Sequence, residues 1–231
     1  MIYILCIETT TKCCSVVLSR GDKVLAAKES LSDYTHAENL TNYIVDVTKE
    51  AGLSLNNIDA IAVSKGPGSY MGLRIGVASA KGLCYALDKP LLGIDTLQAM
   101  ALKAAAELND NTALFCPMID ARRMEVYCAV YNSDNELLEP VSAKIIDEDS
   151  FRNFLTTSKM YFFGDGAAKC SEVLKQPPLA TFNYAYKMSA DAMIPLALEQ
   201  YNMKKFESLA NFEPFYLKDF IPGLPKVKGL T

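Results

Sequence analysis

At 231 residues the chain exceeds one average domain, so either one large unit or two small ones fit its length. Half of its residues are hydrophobic and 22% are charged, which supplies a core and excludes a largely disordered chain. A net charge of −4 and a pI near 5.2 argue against a free-standing nucleic-acid binder, and the short basic stretches at Lys204-Lys205 and 218–228 read as solvated faces.

Residues 2–7 read as a buried strand, and the apolar runs 15–18 and 24–27 flank the turn Arg20-Gly21-Asp22, completing a three-stranded meander. Glu8-Thr9-Thr10-Thr11 falls at the first hairpin tip. A carboxylate among hydroxyls serves either phosphate or metal-linked water there, or only the local backbone of a turn. Over 36–51 the positions Leu40, Tyr43, Ile44, Val47 and Ala51 recur at helical spacing, and Gly52 stops the helix. The sole histidine, His36, stands at its start and is expected to be exposed.

A strand at 58–63 leads into the Gly-rich loop 65–72 and a helix over 73–87. Free N–H groups at such a helix start attract anions. The loop is nevertheless no P-loop, lacking a terminal G-K-[ST], and Met71 stands where a dinucleotide fingerprint needs glycine. A tight turn is its other reading. Gly72, Gly76 and Ala80 leave one helix face without bulk, which suits close packing on the chain's own sheet or on a partner's helix. A strand at 91–94 and a helix capped by Thr96, running to about 107, complete the order β-β-β-α-β-α-β-α, a mixed sheet with helices packed on it.

Asn109-Asp110-Asn111 marks a boundary, giving units 1–109 and 110–231. Strands at 113–119 and 126–131 enclose Asp120-Ala121-Arg122-Arg123-Met124-Glu125, whose excess charge predicts an ion-pair cluster between the units. After the turn Ser133-Asp134-Asn135 come a short helix near 149–155, a strand at 160–163 and a helix over 167–174. The loop Gly164-Asp165-Gly166 opening that helix either cradles part of a nucleotide or simply turns the chain. Pro177-Pro178 marks a surface turn, Ser189 caps a helix to about 201, and 212–231 is irregular.

Seven cysteines without a C-x-x-C pair read as buried, reduced thiols of a cytoplasmic protein. No run approaches ~20 apolar residues, so no membrane span is expected, and the apolar 1–7 lacks the features of a cleaved leader. One histidine also restricts the chemistry. A metallopeptidase helix needs a second imidazole four residues on, where Leu40 stands, and no G-x-S-x-G elbow accompanies a hydrolase triad. No catalytic residue and no metal ligand are assigned.

Residues 4–10, His36-Ala37-Glu38, the loop 66–76, Asp120 to Tyr127, residues 164–167 and Pro214-Phe215-Tyr216-Leu217-Lys218 together resemble the bacterial TsaB (YeaZ) family over nearly the whole chain. The resemblance implies an α/β fold of two similar subdomains of the actin/sugar-kinase/Hsp70-like (ribonuclease H-like) type, with mixed sheets flanked by helices. It implies a non-catalytic subunit that stabilises and activates TsaD, the transferase that threonylcarbamoylates the tRNA adenosine next to the anticodon. TsaE-like ATPase is the third member, the isolated chain is expected to pair with itself, and tRNA is met only through the complex. The partner surface falls on the two N-terminal helices, at Leu40, Tyr43, Ile44, Val47, Gly72, Arg74, Gly76 and Ala80. On that basis Gly76→Leu or Ala80→Leu should prevent assembly and spare the fold. No cofactor is required; weak ATP or ADP binding, if any, falls to Glu8, Thr9, Thr10, Gly164, Asp165 and Gly166. Thr10 stands where the sugar-kinase pattern D-x-G-T has glycine, which hinders approach to a phosphate. The rival reading is a stand-alone ATP-dependent kinase or acyl transferase of the same fold, with Glu8 as its acidic group.

Overall fold

The computed structural model describes residues 1–31, 36–174 and 179–218; the turn expected at Pro177-Pro178 and the end beyond Lys218 lie outside them. Strands β1 (Tyr3–Glu8), β2 (Cys13–Arg20), β3 (Lys23–Leu31), β4 (Ala60–Gly66) and β5 (Leu91–Asp95) form a first sheet in the order β3-β2-β1-β4-β5. β1 runs antiparallel to β2 and parallel to β4. Its side chains alternate, Leu5 and Ile7 entering one core and Ile4 and Cys6 the other, so the strand is apolar on both faces. On the first face lie α1 (His36–Glu50) and α2 (Tyr70–Leu87), with the stripe Leu40, Ile44 and Val47 turned inward.

After α3 (Thr96–Leu108), strands β6 (Leu114–Asp120), β7 (Glu125–Tyr131), β8 (Leu137–Ile145), β9 (Met160–Phe163) and β10 (Ala180–Asn183) build a second sheet in the order β10-β9-β6-β7-β8. Read from β8, that order repeats the first sheet: an antiparallel meander whose first strand continues into two parallel neighbours. The short helices α4 (Arg152–Leu155) and α5 (Ala167–Cys170) cover its far face. Between the sheets lies α3, which turns Ala99 to the first and Leu97, Met100, Ala101 and Ala104 to Phe115 and Ile119 of the second. Alanine at these positions lets both sheets approach the helix closely.

A 3₁₀ turn, Ala190–Met193, and α6 (Ile194–Asn202) return the chain to the first sheet, where Ala190, Met193 and Ala197 pack on Ile4, Ala60 and Leu92. The half taken from sequence as 110–231 thus contains a segment that packs with the other half. Glu207 then donates its N–H to Leu91 O at 2.9 Å, and Phe212 is buried beside α2. From there residues 213–218 form a strap along the Gly-rich loop, held by Phe215 N–H to Lys65 O at 2.6 Å.

Four local expectations are corrected. β8 was not foreseen, because Pro140 interrupts its pattern; proline is tolerated here because β8 is an edge strand. β10, four residues at the opposite edge, carries too little pattern to read. The helix expected over 167–174 is helical only at Ala167–Cys170. Thr96 is the first residue of α3 rather than its cap, and its hydroxyl accepts Gly66 N–H at 3.2 Å; Ser189 does stand at the N-cap position of the turn that leads into the last helix, though its Oγ makes no capping bond and lies 3.3 Å from Ser15 Oγ.

Candidate functional site

The β1–β2 hairpin tip is where the fold gathers the polar residues that the sequence singled out. Glu8 is fully buried. Its Oε1 accepts the Thr10 N–H at 2.5 Å and the Thr10 hydroxyl, while Oε2 accepts the Ser64 hydroxyl. Burial raises the Glu8 pKa, and these donors oppose the rise without cancelling it. Thr9 donates from Oγ1 to Gly72 O at 2.8 Å, and Ser69 N–H donates to Thr10 O at 2.6 Å. The hairpin is therefore satisfied by its own chain.

The glycines of α2 and of the loop that precedes it explain how it is reached. A Cβ on Gly72 would lie 1.9 Å from Thr9 O, one on Gly68 2.4 Å from Thr10 O, and one on Gly76 2.2 Å from Thr9 Oγ1. The bare face of α2 thus seats the hairpin tip. Of the residues expected at a partner surface, Leu40, Ile44, Val47 and Ala80 are buried in the core, and Gly72 and Gly76 are covered by Thr9. Tyr43 packs partly on the same core. Only Arg74 is exposed, with its guanidinium 4.6 Å over the Tyr70 ring.

His36 is buried rather than exposed, because its Nε2 meets Thr11 O at 2.8 Å and ties the start of α1 to the hairpin. The second candidate loop is likewise filled. A Cβ on Gly164, whose φ is +100°, would stand 2.4 Å from Met118 O; Gly166 N–H donates to that oxygen at 3.0 Å. Asp165 Oδ1 accepts Asp120 N–H at 2.9 Å. In the charged hairpin Asp120 pairs with Lys169 of α5, within the second unit, whereas Glu125 pairs with Lys218 of the strap.

All seven cysteines are free and buried, and burial pushes the Cys6 and Cys84 thiols up to about 12, away from thiolate chemistry. Among the described residues no group of His, Cys, Asp and Glu is placed to hold a metal. A cleft of ≈ 530 Å³ opens at the ends of β4 and β5, between Lys65, Asp95 and the segment carrying Glu207, Phe212 and Glu213. Lys65 is paired with Asp95 at 3.1 Å, so the remaining carboxylates make this cleft repel phosphate.

Sequence reasoning missed the opposite face of α2. Met71 and Tyr85 are 60% and 85% exposed, and Arg74, Ala78 and Gly82 lie open between them, with Ala86 following. Gly82 has no packing reason in this chain, since a Cβ there meets nothing within 4 Å. The available signal was composition: α2 carries only Arg74 and Lys81 as charges, so both of its faces are apolar or small.

The model of the family described as TsaD, tRNA N6-adenosine threonylcarbamoyltransferase, matches residues 30–219. The curated protein TsaB of Haemophilus influenzae is 31% identical over 94% of this chain and 93% of its own length. Escherichia coli TsaB is 30% identical, with 94% of each chain covered. Both carry the name tRNA threonylcarbamoyladenosine biosynthesis protein. The chain belongs to the TsaB (YeaZ) family. YeaZ of Pseudomonas aeruginosa superposes on this TsaB-family chain with a TM-score of 0.81 at 25% identity, over 94% of this chain and all of that one. The ethanolamine utilization protein EutJ of Carboxydothermus hydrogenoformans, at 11% identity and a TM-score of 0.51, shares the fold alone. The duplicated sheet of this chain is the two-subdomain α/β fold that the resemblance implied. Among the described residues no helix is long and apolar enough to cross a membrane.

Proposed function

We propose that this chain is an accessory subunit that docks on a TsaD-type transferase in the threonylcarbamoylation of tRNA adenosine, and supplies a surface rather than reacting groups. The observation that carries the proposal is the outward face of α2, where Met71, Ala78, Gly82 and Tyr85 are exposed around a single charged side chain, Arg74, and Gly82 is left open. A soluble chain rarely leaves such a patch uncovered unless another protein covers it. The same face pairs two copies of the isolated chain, so self-association and docking on the transferase compete. A TsaE-like ATPase completes the set in the cytoplasm, and nucleotide is handled by the other subunits. Support for that division comes from the hairpin, whose donors and acceptors are already paired, and from the acidic cleft.

Reconstituted tRNA modification tests the reading: omission of this chain should abolish turnover by the transferase, and undiminished turnover would refute it. Gly82→Arg places a charged side chain on the open face without touching the core. It should weaken assembly at least ~10-fold by size exclusion while leaving the melting temperature within a few degrees of wild type. Calorimetry of the isolated chain with Mg-ATP should show no heat of binding; steady turnover there would favour the kinase-like alternative.

A further inference from the structure

Resting on that reading, we infer that the tip of the β6–β7 hairpin and the adjoining strap form a contact for the phosphodiester backbone of an RNA loop. Arg122 and Arg123 are its phosphate-binding groups, and the Tyr70–Tyr216 pair is its stacking element.

The charge balance at the tip is the first observation. Asp120 and Glu125 flank the arginines, but the ion pairs that they form are with lysines: Lys169 pairs with Asp120 and Lys218 with Glu125, while from the arginines Asp120 Oδ1 takes only the backbone N–H of Arg122. Both arginines are exposed, and among the described residues neither guanidinium forms an ion pair. Two adjacent, uncompensated guanidinium groups are suited to bidentate bonds with successive phosphates.

The backbone supplies the second observation. Arg122 and Arg123 hold φ of +70° and +47°, a left-handed conformation that costs a side-chain-bearing residue about 1 kcal/mol or more. A hairpin that only had to reverse direction would be served by Asn-Gly. Arginines held there at a conformational cost are explained by what their side chains meet.

Aromatic surface lies on the strap that Lys218 ties to the hairpin. Tyr216 packs on Tyr70 with ring centroids 4.9 Å apart, and Arg74 covers the Tyr70 ring. Tyr216 stands two residues before Lys218, whose partner Glu125 stands two residues after Arg123. The tyrosines and the arginine tip are thus within roughly 25 Å, a span of a few nucleotides. Exposed tyrosine with arginine is the composition that receives unstacked bases and their phosphates. A chain of net charge −4 binds RNA poorly by itself, so the contact acts after docking has brought the RNA near.

The test is anisotropy of a labelled anticodon stem-loop with the full chain in complex with a TsaD-type subunit, over a salt series. Arg122→Ala with Arg123→Ala should weaken binding about 10-fold and lower the salt slope by about 1.5, since each lost phosphate contact removes ~0.7–0.9. Arg122→Lys with Arg123→Lys should keep the slope, which separates charge from folding. Tyr216→Ala should weaken binding with the slope unchanged. Unchanged affinity and slope in the alanine double variant overturn the inference, as does loss of assembly at undiminished RNA affinity, which would make the tip a protein contact. Failure of the wild-type chain to assemble with the transferase would instead refute the docking reading.

Discussion

Gly72→Ala is expected to destabilise the protein by about 3 kcal/mol or more, measured by chemical denaturation of the isolated chain. The added methyl would stand 1.9 Å from Thr9 O, a backbone atom at the hairpin tip. The tip cannot simply recede, because the neighbouring Thr10 is bonded to Glu8 through its N–H and its hydroxyl, and its carbonyl to Ser69 N–H. Moving Thr9 therefore strains a buried polar network. Gly82→Ala on the same helix supplies the contrast, with a gain of about 0.5–1 kcal/mol, since it relieves a helix-interior glycine and meets nothing within 4 Å. Equal effects at the two positions would refute the packing assigned to α2. The same geometry reverses the expectation for Gly76→Leu and Ala80→Leu. Both enter the chain's own core, so they should impair folding, and lost assembly in either variant says nothing about an interface.

Glu8→Ala is the second large effect, expected to cost about 3 kcal/mol, because it strands the buried Thr10 N–H and leaves the Thr10 and Ser64 hydroxyls without their acceptor. Glu8→Gln should be far milder and should change the pH dependence. Burial, partly offset by hydrogen bonds from Ser64 and Thr10, holds the Glu8 pKa above its value in the unfolded chain. The folded state therefore binds the proton more tightly. Its stability is greatest, as far as this group is concerned, below the unfolded pKa, and falls as pH rises through the folded one. Ser64 makes the protonated form acceptable, because its hydroxyl can turn to Met193 Sδ, 3.1 Å away, and accept from the acid. Glu8→Gln should abolish this segment of the pH profile, and the variant should gain on wild type at the alkaline side. A wild-type stability that rises with pH across that window, with the increment lost in Glu8→Gln, would contradict the assignment.

Much of the fold was legible because its elements repeat simple periods. Strand β1, the stripe Leu40-Ile44-Val47 and the Gly-rich loop between β4 and α2 announce themselves through alternation, helical spacing and glycine. β8 and β10 did not, since edge strands bury little and so show little pattern. The candidate site was legible in residue type only. Glu8, Thr9, Gly72 and Gly76 were all marked from sequence, but as separate features with separate uses, a phosphate hairpin and a partner face. The structure makes them one contact in which each explains the other.

By itself, the sequence determined the composition of the two helical faces, the placing of small residues at Gly72, Gly76 and Ala80, and the scarcity of imidazole and basic clusters. Family membership also follows from sequence, through relatives matched along almost the whole chain. Only the tertiary structure decided which face of α2 turns inward. A helix that is apolar or small all round has no preferred side until the sheet and the hairpin choose one by close approach, and here Thr9 fits only the glycine side. That choice fills the hairpin and leaves Met71, Ala78, Gly82 and Tyr85 exposed on the outer side of the helix.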